Sequence, residues 1–204
     1  MRLGLRAFLL AVACVGALSL PAAAQIEGDY ERIGPVPKPR SHDVVLFEEY
    51  LNFTCPHCNS FREQAGPLFR KHGKRLQVVY IPILFRGQND AAPRLFYIAQ
   101  KEGKEEEIMT ALFDATFKYG VNINDPAVVN YLARSAGVGE AYQRNFNAAW
   151  VNAKLQEAAQ KADQAGITAT PTVVLQGSLR LLPKGGMPAY IANIDHIISQ
   201  LLKQ

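Results

Sequence analysis

Apolar and polar positions along the chain predict an alternation of buried strands and amphipathic helices. Val44-Val45-Leu46-Phe47 is a continuous apolar run with β-branched residues, the pattern of a central strand buried on both faces. From Pro56 to about His72, Phe61, Ala65, Leu68 and Phe69 recur at three- and four-residue steps. That spacing predicts a helix, kinked at Pro67 and stopped by Gly73. Residues 76–81 predict a second strand, ended by Pro82. A long helical block follows, with helices near 91–102, 105–119, 125–136 and 139–164. The third opens on Asp125-Pro126, an N-cap followed by proline at the first helical position. The fourth carries Tyr142, Phe146, Trp150 and Ala153, a stripe expected in the core. Thr172-Val173-Val174-Leu175 reads as a strand, Gln176-Gly177-Ser178 as a tight turn, and residues 179–182 as the returning arm of a hairpin. Pro188 opens a last helix whose apolar face is Ile191, Ile194, Ile197, Ile198 and Leu201. The order β, α, β, helical block, β, β, α predicts an α/β fold: one sheet flanked by helices, with the helical block inserted into it.

The start of the chain is an address. Arg2 and Arg6 precede an apolar stretch over 7–20, Pro21 breaks it, and Ala22-Ala23-Ala24 supplies small residues for cleavage. This predicts a secretory signal peptide over 1–24, cut before Gln25. The apolar stretch is shorter than the ~20 residues a membrane span needs. Residues 25–42 form an extended leader, Pro-rich from Ile33 to Pro39, either a docking strip or a tether packed along an edge. The sheet domain is expected over 43–85 and 165–204, and the inserted helical domain over 86–164.

Composition adds exclusions. At 204 residues, 49% hydrophobic and 20% charged, the chain is neither disordered nor fibrous. Net charge is +4 and falls to +2 without Arg2 and Arg6. No long basic run accompanies it, so nucleic acid is not an expected partner. Loss of the signal peptide also removes Cys14. The exported chain keeps two cysteines, Cys55 and Cys58, and exported chains live where disulfides persist.

Cys55-Pro56-His57-Cys58 follows the first strand and opens the first helix. Cysteines at i and i+3 lie on one side of a helix's first turn, close enough to bond. At the N-terminus, unpaired backbone N–H groups and the positive end of the dipole favour a thiolate at Cys55. His57 can add positive charge or a donor, and Pro56 costs nothing in a first turn. Helix-terminal CxxC thiols titrate at about 3.5 to 7, against ~8.5 for a free cysteine. Each pKa unit is ~1.36 kcal/mol of preference for the anion. A dithiol stabilised in this way makes a strongly oxidising disulfide. Two other readings stand beside this one. A structural disulfide would close too small a loop to gain much. A metal carrier would need two further ligands from His42, His57, His72 or His196, none at a standard paired spacing.

A second motif is Gly166-Ile167-Thr168-Ala169-Thr170-Pro171-Thr172-Val173-Val174, a Thr-Pro immediately ahead of a strand. Together with strand–CxxC–helix it resembles the cis-Pro loop of thioredoxin-like proteins. With Pro-His between the cysteines and an inserted helical block, residues 44–203 resemble the DsbA family of periplasmic thiol oxidases.

That resemblance implies a thioredoxin-like fold with an inserted α-helical domain. Cys55 would be the exposed nucleophile, Cys58 the buried resolving thiol, and His57 the main tuner of the potential, with Pro56 between them. Thr170 and Pro171 would form the substrate-side loop, offering the Thr170 backbone to an extended client. Glu49 stands six residues before the nucleophile, where the family places a buried acid. It would either relay the Cys58 proton or be a solvated strand-end carboxylate, with Glu48 pointing the other way. The resemblance further implies a periplasmic monomer with no cofactor beyond a redox-active Cys55–Cys58 disulfide. Its partners would be exported clients with free thiols and a DsbB-type membrane reoxidant. Arg62 departs from the pattern, since well-known members carry an acid there. The leader is too short for a dimerisation domain, which argues against the dimeric isomerases of this fold. An isomerase, a reductase and a metal carrier remain the competing functions.

Overall fold

The computed structural model describes residues 26–35 and 44–203. The predicted signal peptide, Gln25 and residues 36–42 of the leader lie outside them. Among the described residues no helix is long and apolar enough to cross a membrane.

The described residues form a five-stranded sheet from β1 (Tyr30–Arg32), β2 (Val45–Leu51), β3 (Leu76–Pro82), β4 (Thr172–Leu175) and β5 (Leu179–Leu181). The spatial order is β1-β5-β4-β2-β3. β2 and β3 run parallel, and the other neighbours are antiparallel. A parallel pair needs a crossover. Here it is α1 (Pro56–Gln64) with α2 (Gly66–His72). Between β3 and β4 lie α3 (Ala91–Lys101), α4 (Glu105–Phe113), α5 (Pro126–Ser135), α6 (Gly139–Asn145) and α7 (Ala149–Gln164). α8 (Gly186–Leu201) follows the β4–β5 hairpin.

Strand alternation divides the core in two. Val173 and Leu175 join Phe47, Phe61, Leu68, Tyr190 and Ile197 in the cluster under α1, α2 and α8. Val174 and Tyr50 face the other way, into the cluster built with α3 to α7. Each buried large apolar side chain contributes about 1.5–3 kcal/mol relative to exposure. The same alternation sends Glu49 toward α1 and Glu48 toward α7, where Glu48 Oε1 lies 3.6 Å from Lys161 Nζ. His72 is buried and pairs through Nε2 with Asp195 Oδ1 at 2.6 Å, joining α2 to α8.

The fold class agrees with the sequence reading, and several element boundaries differ. The first strand runs on through Glu48 and Glu49 to Leu51, because the sheet pairs their backbones with β3 and β4 despite the charge. The helix expected over 56–72 is broken at Ala65 rather than kinked, since Pro67 lacks the N–H an unbroken helix would need and instead opens α2. The helix expected over 105–119 widens into a π turn at Asp114–Lys118. The helix expected over 139–164 is two. Between them Arg94 Nη1 donates to Phe146 O (2.7 Å) and Asn152 Oδ1 (2.8 Å), and Asn145 Nδ2 donates to Ala141 O. The first of these bonds takes a carbonyl that the break frees. Ala153 is exposed, so the aromatic stripe does not extend that far.

The leader contributes more than a tether. β1 adds to the sheet against β5 in the register Tyr30↔Leu181, Glu31↔Arg180, Arg32↔Leu179. Ile33 N then donates to Ser178 O, and Ser178 Oγ donates to Pro35 O. The three-residue hairpin connection turns at Gln176 (φ 54°) and Gly177 (φ 63°), closed by Ser178 N donating to Leu175 O, with Ser178 as an extra residue before β5. Gln176 tolerates this because it bonds Leu46 through both its backbone N–H and its side-chain Oε1.

Tyr190 Oη accepts a hydrogen bond from Val173 N at 2.9 Å in the interior. Tyr190→Phe leaves that N–H buried and unpaired, and is expected to cost about 1–3 kcal/mol in a denaturant titration.

Candidate active site

The site is built where β2 ends. Asn52 shapes the turn that follows. Its Oδ1 accepts from Thr54 N (2.9 Å) and Thr54 Oγ1 (2.7 Å), while its Nδ2 donates to Ile83 O (2.8 Å) and Gln88 Oε1 (2.7 Å). Gln88 Nε2 closes the network by donating to Thr54 Oγ1 at 2.7 Å. The chain thus enters α1 with Cys55 as its N-cap in an extended conformation, and Pro56 at the first helical position. Cys58 N and Asn59 N both donate to Cys55 O.

The two sulfurs have opposite surroundings. Cys55 is half-buried, whereas Cys58 is 0% exposed, and both are free thiols here. A hydrogen bond from the Cys58 thiol, opposed by partial burial, lowers the Cys55 pKa to about 5, with help from the backbone N–H groups of Cys58 and His57. The same bond, together with burial, pushes Cys58 far up, against the Asn52 N–H that points at its sulfur from 3.4 Å. His57 and Pro56 are exposed, and the His57 group seen acting on Cys55 is its backbone N–H.

Thr170 meets this pair from across the sheet. Cys55 Sγ lies 3.2 Å from Thr170 O, to which it donates while protonated, and the Thr170–Pro171 peptide bond is cis. The Thr170 hydroxyl is buried without a hydrogen-bond partner. Cys55, Pro56, His57, Cys58, Thr170 and Pro171 therefore come together at one end of β2 and β4.

Glu49 lies apart, beneath α1. It is 5% exposed and mid-sheet, so it is not a solvated strand-end residue. It lines a cavity of about 260 Å³ with Arg62, Tyr80, Glu106, Met109 and Phe113. Burial raises its pKa to about 8, moderated by Arg62 and reinforced by Glu106. Arg62 itself is anchored on the inserted block by Thr110 Oγ1 and lies 3.9 Å from Glu106. Among the described residues, no group of three or more His, Cys, Asp or Glu side chains is placed to hold a metal ion.

The sequence profile of the DSBA-like thioredoxin domain matches residues 47–189, a span that holds the CxxC, the insert and the Thr-Pro loop. The chain belongs to the DSBA-like thioredoxin family. It is 26% identical over 199 residues to the thiol:disulfide interchange protein DsbA of Pseudomonas syringae pv. tomato, covering 94% of this chain and 92% of that one. It is 27% identical over 169 residues to DsbA of Azotobacter vinelandii, covering 81% and 78%. Among solved structures, Pseudomonas aeruginosa DsbA superposes with a TM-score of 0.72 at 22% identity, over 85% of this chain and 92% of that one. The Xylella fastidiosa oxidoreductase DsbA does so with a TM-score of 0.70 at 22% identity, over 85% and 90%. The chain is accordingly a thiol:disulfide oxidoreductase of DsbA type.

Within this DsbA-type site the sequence motifs located the sulfurs and the facing loop but not their supports. Asn52, Gln88 and Tyr190 went unassigned. Asn52 alone carried a local signal, an Asn two residues before Thr at the end of a strand, which favours a side-chain turn.

The thiolate absorbance of the reduced protein is expected to rise with a midpoint near pH 5 for one thiol, with no second thiol ionising below pH 9. Glu49 has its folded pKa raised, so its contribution to stability is full below the unfolded value near 4.5 and is lost as pH rises toward 8. Glu49→Gln is therefore expected to match the wild type near pH 4 and to exceed it by roughly 3 kcal/mol at pH 7 in chemical denaturation.

Proposed function

We propose that this chain is an exported disulfide oxidase, which introduces disulfides into client proteins by dithiol–disulfide exchange at Cys55 and Cys58. The observation that carries this reading is the Cys55 sulfur, half-exposed at a helix N-terminus with its pKa lowered to about 5. In a dry site that lowering corresponds to about 5 kcal/mol of preference for the anion, and solvent screening at this half-exposed sulfur leaves a few. The preference belongs to the reduced form, so it makes the disulfide a strong electron acceptor.

The exchange balances as follows. A client thiolate attacks Cys55 Sγ of the Cys55–Cys58 disulfide. The S–S bond breaks, a client–Cys55 mixed disulfide forms, and Cys58 leaves with the electron pair. Its raised pKa means that it takes up a proton, and Glu49, neutral at pH 7, is the acid that exchanges it. A second client thiolate then attacks the client sulfur, and Cys55 leaves as the stabilised thiolate. Two electrons have passed from client to protein. The Thr170 backbone pairs with the client strand, with Pro171 beside it, and His57 faces the incoming thiol. The redox-active disulfide serves in place of a bound cofactor. A quinone-linked membrane partner of DsbB type takes the electrons onward. The signal-peptide pattern supports a periplasmic location.

A glutathione redox titration combined with oxidation of a reduced dithiol peptide tests the direction of electron flow. The expected potential lies near about −120 mV, with fast peptide oxidation, whereas a value near about −270 mV makes the protein a reductase. Vigorous refolding of scrambled ribonuclease with poor oxidation makes it an isomerase. The pH dependence has a defined sign. Cys55 has its folded pKa depressed, so the added stability of the reduced form is complete above the unfolded value near 9 and is lost as pH falls through about 5. The gap in melting temperature between reduced and oxidised protein is expected to widen from pH 5 to pH 8.

A further inference from the structure

The loop over 165–171 leaves α7 and re-enters the sheet at β4, and Arg180 of the neighbouring strand β5 reaches from the sheet to its first two residues. On one side the Arg180 backbone lies opposite Val174 of β4. On the other, its guanidinium reaches the end of α7, where Nη1 donates to Ala165 O (2.7 Å) and Gly166 O (2.5 Å). Carbonyls at a helix end lack partners within the helix and favour a cation. Gly166 has φ +61°, and a Cβ there would collide with Arg180 Nη1, so glycine is what admits the contact.

The guanidinium is itself held. Arg180 Nη2 bonds Glu31 Oε2 of β1, and Glu31 is also the residue opposite Arg180 in the β1–β5 register. One planar fork thus spans the leader strand and the helix end. A lysine has one nitrogen and no such fork. Farther along the loop, Thr172 Oγ1 donates to Ala169 O (2.8 Å), and Thr170 O receives the Cys55 thiol.

We propose that Arg180, braced by Glu31 of the leader strand, is a positioning residue for client binding. It holds the loop in the register where Thr170 O faces Cys55, the register in which its backbone would pair with an extended client. Arg180 touches neither sulfur and acts only through the loop. The leader strand therefore serves the site as well as the sheet. This rests on the reading that clients pair with the Thr170 backbone.

The test compares two dithiol substrates of the oxidised protein: an extended peptide, which needs the loop, and dithiothreitol, which does not. In Arg180→Gln the KM for the peptide is expected to rise about tenfold, the factor carried by roughly one hydrogen bond's worth of loop order. Its kcat and the dithiothreitol rate are expected to stay within about twofold, and Arg180→Lys to fall between. Glu31→Gln should raise the peptide KM less, in the same direction, and add nothing once Arg180 is Gln, as coupled partners do. Peptide and dithiothreitol rates falling together overturn the proposal. So does a lowered melting temperature with an unchanged peptide KM. If Arg180→Gln does not fold, Glu31→Gln decides alone. A wild type inert toward both substrates sinks the oxidase reading and this inference with it. A wild type active on both, with peptide KM unmoved by either substitution, overturns this inference only.

Discussion

The first turn of a helix leaves backbone N–H groups without partners, and this protein places a sulfur among them. Cys55 is the N-cap of α1, with its neighbour Cys58 one turn below in the interior. A single hydrogen bond between the two thiols moves their acidities in opposite directions. The half-exposed sulfur becomes an anion at neutral pH, and the buried one stays protonated. The two sulfurs therefore differ in both exposure and acidity. This difference depends on where the chain turns, since one residue of slippage would take Cys55 off the helix end.

The supports of that turn come from distant parts of the chain. Asn52 closes the strand-to-helix corner locally, but Gln88 and Ile83, beyond β3, hold Asn52. The facing carbonyl of Thr170 arrives on the far side of the insert, anchored by β4 and by Tyr190 of α8. The site is thus a meeting of three separate segments on a rigid sheet, which fixes groups more closely than a loop alone.

Charge beneath the site is handled by the insert. Glu49 is buried between sheet and α1, and the cation near it is Arg62, which is anchored in turn by Thr110 of α4. A substitution that looked like a departure from the family pattern therefore sits in a defined role: it partly offsets the cost of an acid held inside. Burial still outweighs Arg62, and the balance raises the Glu49 pKa to about 8.

The features legible in the chain alone were local ones. The continuous apolar run of β2, the i, i+3 cysteines, the amphipathic face of α8 and the Thr-Pro ahead of β4 each carry their meaning within a few residues, because strand burial, helix phase and turn geometry repeat over such distances. Folding in three dimensions settled what depends on partners far along the chain. The helix expected over 139–164 breaks where Arg94, some fifty residues earlier, takes the freed Phe146 carbonyl at 2.7 Å. A Pro-rich leader supplies an edge strand because β5 offers unpaired backbone. Whether Glu49 was solvated or buried rested on α1 and α4 closing over it, and Arg180 reached the Ala165 and Gly166 carbonyls only when β5 folded beside the end of α7. Hydrogen bonds and desolvation act through space, so their strength is set only when packing has chosen the neighbours.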